Sequence, residues 1–195
     1  MENSLGVLVN RDKIGNLMAL IATKVTPLYH TKLLKMLYLI DEEAVKLHGV
    51  PVTWLDYYVW QFGPVAPEIF YAKDNNSIFS DYIEAEHTDF GNLIKPRCAF
   101  NDEKFSELEW DIIQKVIDKC KNMTSEEIVN LTHEPDTLWT ITRNEHRLDF
   151  SSPVANISNI KLDMSRLADD EIKLDNFKGA KEMMYFRAPV KTTYI

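Results

Sequence analysis

The sequence has none of the short motifs that announce common catalytic chemistry: no GxxxxGK[ST] loop, no GxGxxG after a strand, no HExxH and no GxSxG. These absences remove the usual signatures of phosphate cradling, dinucleotide binding, zinc hydrolysis and acyl transfer. Cysteine is equally sparse. Cys98 and Cys120 are the only two and form no CxxC pair, which predicts reduced thiols in a cytoplasmic protein and leaves a single buried disulfide as the alternative. Long apolar runs are missing too. Asp41-Glu42-Glu43 closes the longest candidate well before the roughly 18 residues a bilayer span needs, so no membrane association is expected. Met1 to Val9 carries Glu2 in place of a basic start, so a secretion signal is not expected either. Neither an internal repeat nor a low-complexity run occurs.

Positive charge is the scarcer sign. Thirty acidic against 22 basic residues leave a net charge of -8, a field that repels a phosphate backbone and disfavours nucleic acid as a partner. The same field would steer a cationic protein inward, although solubility alone explains most acidic compositions. What remains, 45% hydrophobic residues over 195 positions, suits one compact domain with a modest extension, large enough to hide about two thirds of its unfolded surface without disulfides or metal.

The clearest element is Thr31 to His48. Leu33, Leu37, Ile40, Ala44 and Leu47 recur at steps of four and three, which places them on one helical face, and Gly49 follows where a C-terminal cap belongs. Leu34, Met36, Tyr38 and Leu39 widen the apolar surface, so other elements should cover this helix on two sides. An earlier helix over about Asp12 to Thr23 can supply one cover. Val52 to Phe62, rich in aromatic and β-branched residues, reads as extended, with Gly63-Pro64 turning the chain into a helix near Pro67 to Ala72. Ile78 to Phe100 fits short strands or a hairpin. Two capping boxes follow, Ser106 with Glu109 and Thr124 with Glu127, predicting helices over Glu107 to Cys120 and to about Leu131. A third helix is predicted from about Pro135 to Arg143. The expected fold is therefore mainly α with a small β element (α+β), a compact helical domain over residues 1–145 and a C-terminal extension over 146–195 that either completes the core or grips a partner.

Candidate chemistry among these residues is thin. Consecutive residues of a helix diverge by about a quarter-turn or more, so Asp41-Glu42-Glu43 does not converge on one atom and reads as a solvated face. His133-Glu134 near Asp136 lacks a nucleophile and reads as a helix start with acids at the positive dipole end. His30, His48, His87, His133 and His146 are scattered. The cluster Trp54, Tyr57, Tyr58, Trp60 and Phe62 could stack on bases, but the segment holds no lysine or arginine, which favours core packing, then a protein-binding surface. No catalytic, cofactor-binding or metal-ligating set emerges.

Three stretches, in order, carry a resemblance: Lys32-Leu33-Leu34-Lys35-Met36-Leu37-Tyr38, then Trp60-Gln61-Phe62-Gly63-Pro64-Val65 with Pro67-Glu68, then Thr132-His133-Glu134 followed by Trp139. Together, over about Lys32 to Arg143, they resemble the Panacea domain, also called SocA-like, of bacterial and phage antitoxins. Phe62 stands where that family usually has tyrosine, Leu138 where proline is usual, and the segment after Asn144 has no clear counterpart. The resemblance implies a mostly helical protein without enzymatic activity, which binds and neutralises a toxin encoded by the adjacent gene. It also implies two alternatives, an adaptor delivering the toxin to a protease and a DNA-binding repressor of its own operon. A homo-oligomer and a hetero-oligomer with the toxin both stay open.

Of the shared residues, Lys32, Leu33, Tyr38, Trp60, Gly63, Pro64, Val65, His133 and Trp139 are expected to define the fold. Toxin contact is assigned to Trp60, Phe62 and Tyr71, and to the late cluster Met183, Met184, Tyr185 and Phe186, since aromatic and methionine groups suit adaptable protein binding.

Overall fold

The computed structural model describes residues 9–74, 77–151 and 156–187. Helix α1 (Arg11–Lys24) starts where the Asn10 side chain accepts the Lys13 amide at 3.0 Å, which satisfies one of the orphan donors of a first turn. Helix α2 (His30–His48) ends at Gly49, whose φ of 81° is the left-handed cap geometry that glycine adopts without steric cost. This helix is the axis of the molecule.

Strands β1 (Tyr58–Trp60) and β2 (Gly63–Val65) form an antiparallel hairpin in which Trp60 faces Gly63, leaving Gln61 and Phe62 as a two-residue tip. Much of the predicted extended segment Val52 to Phe62 is irregular, with Trp54 at a φ of 59°. After α3 (Pro67–Phe70) and a 3-10 turn over Tyr71–Lys73, strands β3 (Ile83–Thr88) and β4 (Gly91–Pro96) make the second predicted hairpin, tied to the body where the Ile94 amide donates to the Leu28 carbonyl at 2.8 Å.

Both capping boxes form as expected. They open α4 (Glu107–Cys120) and α5 (Ser125–Thr132), with the Ser106 amide 3.0 Å from Glu109 and the Thr124 amide 2.6 Å from Glu127, and each N-cap contributes about 1 kcal/mol. The third predicted helix begins later than Pro135. Helix α6 (Leu138–Glu145) is capped by Thr137, whose hydroxyl accepts the Thr140 amide at 3.3 Å, so Pro135 belongs to the preceding turn.

The extension packs on the body. Residues 156–162 run antiparallel beside β1, with the Val59 amide donating to Ile160 and the Leu162 amide to Tyr57, at 2.9 and 2.7 Å. A 3-10 turn over Met164–Leu167 and helix α7 (Glu171–Arg187) follow, and Leu162, Met164 and Phe177 are buried. Helices α4, α5 and α7, strand β2 and the 164–167 turn all pack against α2.

Burial of α2 corrects two expectations. Asp41 and Glu42 are in the interior, not on a solvated face, because Thr53 and Tyr57 supply hydrogen-bond donors to Asp41 from a later loop. Lys32 and Lys35 are likewise buried, and Leu47, expected within the apolar stripe, is instead 42% exposed near the helix end.

Candidate functional site

The three sequence stretches meet at the β1–β2 hairpin, and each holds a backbone carbonyl or a tight approach. From α2, Lys35 sends its Nζ to the Pro64 carbonyl at 2.8 Å. Burial lowers the pKa of this ammonium to about 7, since the charged form has lost its water. One turn earlier, Lys32 donates to the carbonyls of Lys121 and Met123 at 2.8 and 2.7 Å. That places a cation at the negative end of α4 and joins it to α2. Burial also pulls Lys32 below its ordinary value, opposed by Cys120 and Glu127.

On the hairpin itself, Gly63 has a φ of 96°, and a Cβ there would lie 2.6 Å from Thr132 Oγ1 and 3.1 Å from Lys35 Nζ. Only glycine supplies both the conformation and the space. The Thr132 hydroxyl donates to the Val129 carbonyl at 2.8 Å. His133, next along, faces the Val129 carbonyl with Nδ1 at 2.6 Å and the Gln61 carbonyl with Nε2 at 3.2 Å. Its ring meets Trp139 edge-on at 3.9 Å between centroids, and Trp139 Nε1 donates to the Trp60 carbonyl at 3.0 Å. Three side chains, Lys35 on α2, His133 at the end of α5 and Trp139 on α6, therefore hold the carbonyls of residues 64, 61 and 60.

The outside of the same hairpin is apolar and open. Phe62, at the tip, is 62% exposed. Trp60 is half-buried and packs on Phe70 at 5.0 Å between centroids; Phe70 in turn meets Tyr71, which is 58% exposed, at 5.4 Å. The Lys73 ammonium sits 4.1 Å above the Phe70 ring. A cleft of about 360 Å³ continues this face past Tyr58, Pro67 and Ile157. Trp60 and Tyr71 thus belong to one aromatic surface through Phe70, and the exposed Phe62 stands at the adjoining hairpin tip. Phe70 and Ile157 join it without having been picked out in the sequence; Phe70 was detectable only as an aromatic one turn after the Pro67 helix start.

The remaining expected contact residues lie elsewhere. Helix α7 docks at the opposite end of α2, where Asn176 donates to the His48 carbonyl at 3.1 Å and Phe177 packs on Trp54 at 5.2 Å. Met183 and Tyr185 are exposed on it and Met184 is half-buried, whereas the side chain of Phe186 lies outside the described residues. Leu33 and Val65 are core, and Tyr38 lies away from the hairpin, donating to Glu42 at 3.2 Å and meeting Tyr57 edge-on.

A mainly helical α+β fold built round one buried helix, presenting a rigidly clamped hairpin with an aromatic outer face, is a scaffold suited to protein recognition. The family model described as antitoxin SocA-like, Panacea domain, matches residues 33–140, and the chain belongs to that family. Comparison with curated proteins and with solved structures yields no match. Among the described residues no helix is long and apolar enough to cross a membrane, and no cluster of potential ligands could hold a metal ion.

Proposed function

We propose that this chain neutralises a protein toxin by binding it directly, with Trp60, Phe62 and Tyr71 at the centre of the contact and without catalysis or a cofactor. Family membership supports the antitoxin role. The observation that carries the contact surface is the pairing of an exposed Phe62 with a hairpin whose neighbouring carbonyls are each held by an interior side chain. A surface fixed before binding loses little freedom on association, so its aromatic area is converted efficiently into affinity. The net charge of -8 would steer a basic toxin toward it. Met183, Met184, Tyr185 and Phe186 on α7 offer a separate, secondary contact.

The test is a growth assay in which the product of the adjacent gene is expressed alone and with this chain, followed by co-purification. Rescue with a stable complex, both lost in a Phe62→Ala/Tyr71→Ala double variant that melts like the parent, is the expected result. Full rescue by that folded variant would move the contact away from the aromatic face. Toxin loss that depends on a cellular protease would instead mark an adaptor. A harmless neighbour would remove the antitoxin role for this pair.

A further inference from the structure

We propose that a second site, distinct from the hairpin face, binds a small apolar carboxylate, one ring or branched chain bearing a single acid group, in the half-open cavity between residues 51–56, the 161–164 segment and α7. The cavity measures about 220 Å³. Protein interiors are close-packed, and an apolar void of roughly 150 Å³ already accommodates benzene. This one is walled by Trp54, Leu55, Leu162, Met164 and Phe177, a predominantly apolar lining that takes a ring. Trp54 holds its side chain in that wall from a φ of 59°, a conformation bulky residues adopt only where the surroundings impose it.

The charged groups round the cavity specify the end group. Asp41 receives the Thr53 amide, the Thr53 hydroxyl and the Tyr57 hydroxyl. Asp56 is ion-paired with Lys161. Asp163 accepts the amide and the hydroxyl of Ser165 at 3.1 and 2.6 Å. Each lining carboxylate is thus engaged within the protein. Lys181 also lines the cavity, is half-buried, and among the described residues has neither a hydrogen bond nor an ion pair. A partly desolvated ammonium beside an apolar hollow favours an anion, and a carboxylate reaching it would leave its apolar portion against Trp54 and Met164. Because Phe177 and Lys181 both belong to α7, such a ligand bridges α7 to the body and stabilises that docking in proportion to its occupancy.

The experiment titrates the full chain with 3-phenylpropionate, and separately with 3-phenylpropylamine, its charge-reversed analogue, following the Trp54 indole N–H resonance. Saturable single-site shifts are expected for the acid, with the amine at least roughly tenfold weaker, the scale of one charge-assisted contact. Lys181→Gln should weaken the acid roughly tenfold and erase the preference, and Met164→Trp, which fills the cavity, should abolish binding. Equal affinity for acid and amine, no saturable shift of Trp54 with the acid, or unchanged acid binding in Lys181→Gln would each overturn the proposal. The Lys181 variant decides the matter even if Met164→Trp does not fold, and none of these outcomes depends on toxin binding.

Discussion

Lys35 and Pro64 are joined by a 2.8 Å hydrogen bond from a buried ammonium to a backbone carbonyl, which ties the central helix to the hairpin on which the aromatic face is built. The donor is expensive to keep charged there, since burial drops its pKa from an ordinary 10.5 to about 7. On the same helix Asp41 is fully buried, and burial raises its carboxyl from 3.8 to about 6 in spite of the Thr53 and Tyr57 donors.

Opposite slopes of stability against pH follow from these two groups. Between about 4 and 6 the native state holds the Asp41 proton more tightly than the unfolded chain, so stability falls as pH rises through that window. Between about 7 and 10.5 the unfolded chain holds the Lys35 proton more tightly, so stability rises with pH. Each slope is worth about 1.4 kcal/mol per pH unit at full proton difference. Urea unfolding across the range should therefore show a stability minimum near pH 6 to 7. Lys35→Met should flatten the alkaline rise and Asp41→Asn the acidic fall. A Lys35→Met profile that still climbs with the parent's slope would assign the rise to another group.

Gly63→Ala should cost about 2 to 3 kcal/mol, combining a left-handed residue with a Cβ pressed on Thr132. The predicted approach of 2.6 Å to Thr132 Oγ1 also makes the loss separable. Combined with Thr132→Ala, which removes that oxygen, the alanine should cost less than the two single changes summed, because the sites are coupled. Strict additivity in denaturant titrations would mean that backbone conformation alone sets the penalty.

How far this arrangement was legible depends on the range of the interactions. The Ser106–Glu109 and Thr124–Glu127 boxes and the Gly49 cap are written within a few residues, and they form as written. The hairpin over Ile83–Pro96 was visible from its punctuation. By contrast, burial of Asp41 is set by Thr53 and Tyr57, donors that a helical wheel cannot place. The convergence of Lys35, Gly63, Thr132, His133 and Trp139 spans about a hundred positions; their order marked the family, but not that they clamp one hairpin. Sequence alone places Phe62 both in the aromatic cluster favoured for the core and among the toxin-contact residues, and only the two-residue tip explains why it faces outward.

Truncations should separate the parts of the C-terminal extension. Deleting residues 150–195 removes the partners of the Val59 and Gln61 amides and uncovers the surface under Leu162 and Met164. Each of those side chains contributes about 2 kcal/mol by burial, so this deletion should unfold or severely destabilise the protein. Deletion from residue 168 onward keeps the 156–162 pairing, and amide exchange at Val59 and Gln61 should stay slow. If the longer deletion folds with those amides protected, the extension is dispensable to the body, and any lost neutralisation would belong to toxin contact alone.

Charge beside the hairpin tip offers a kinetic test of the proposed interface. Glu134 and Asp136 are exposed and, among the described residues, unpaired; they follow His133, whose ring reaches the Gln61 carbonyl, so they flank the Phe62 tip. Rim charges act mainly on encounter, whereas buried aromatic anchors act on dissociation. Glu134→Gln/Asp136→Asn should therefore slow association with a basic toxin severalfold at low salt, with the difference shrinking toward roughly 0.15 M salt as screening sets in. Phe62→Ala should leave association nearly intact and accelerate dissociation. Stopped-flow measurements that show both variants changing only dissociation, independently of salt, would argue that the toxin is not steered by this edge of the molecule.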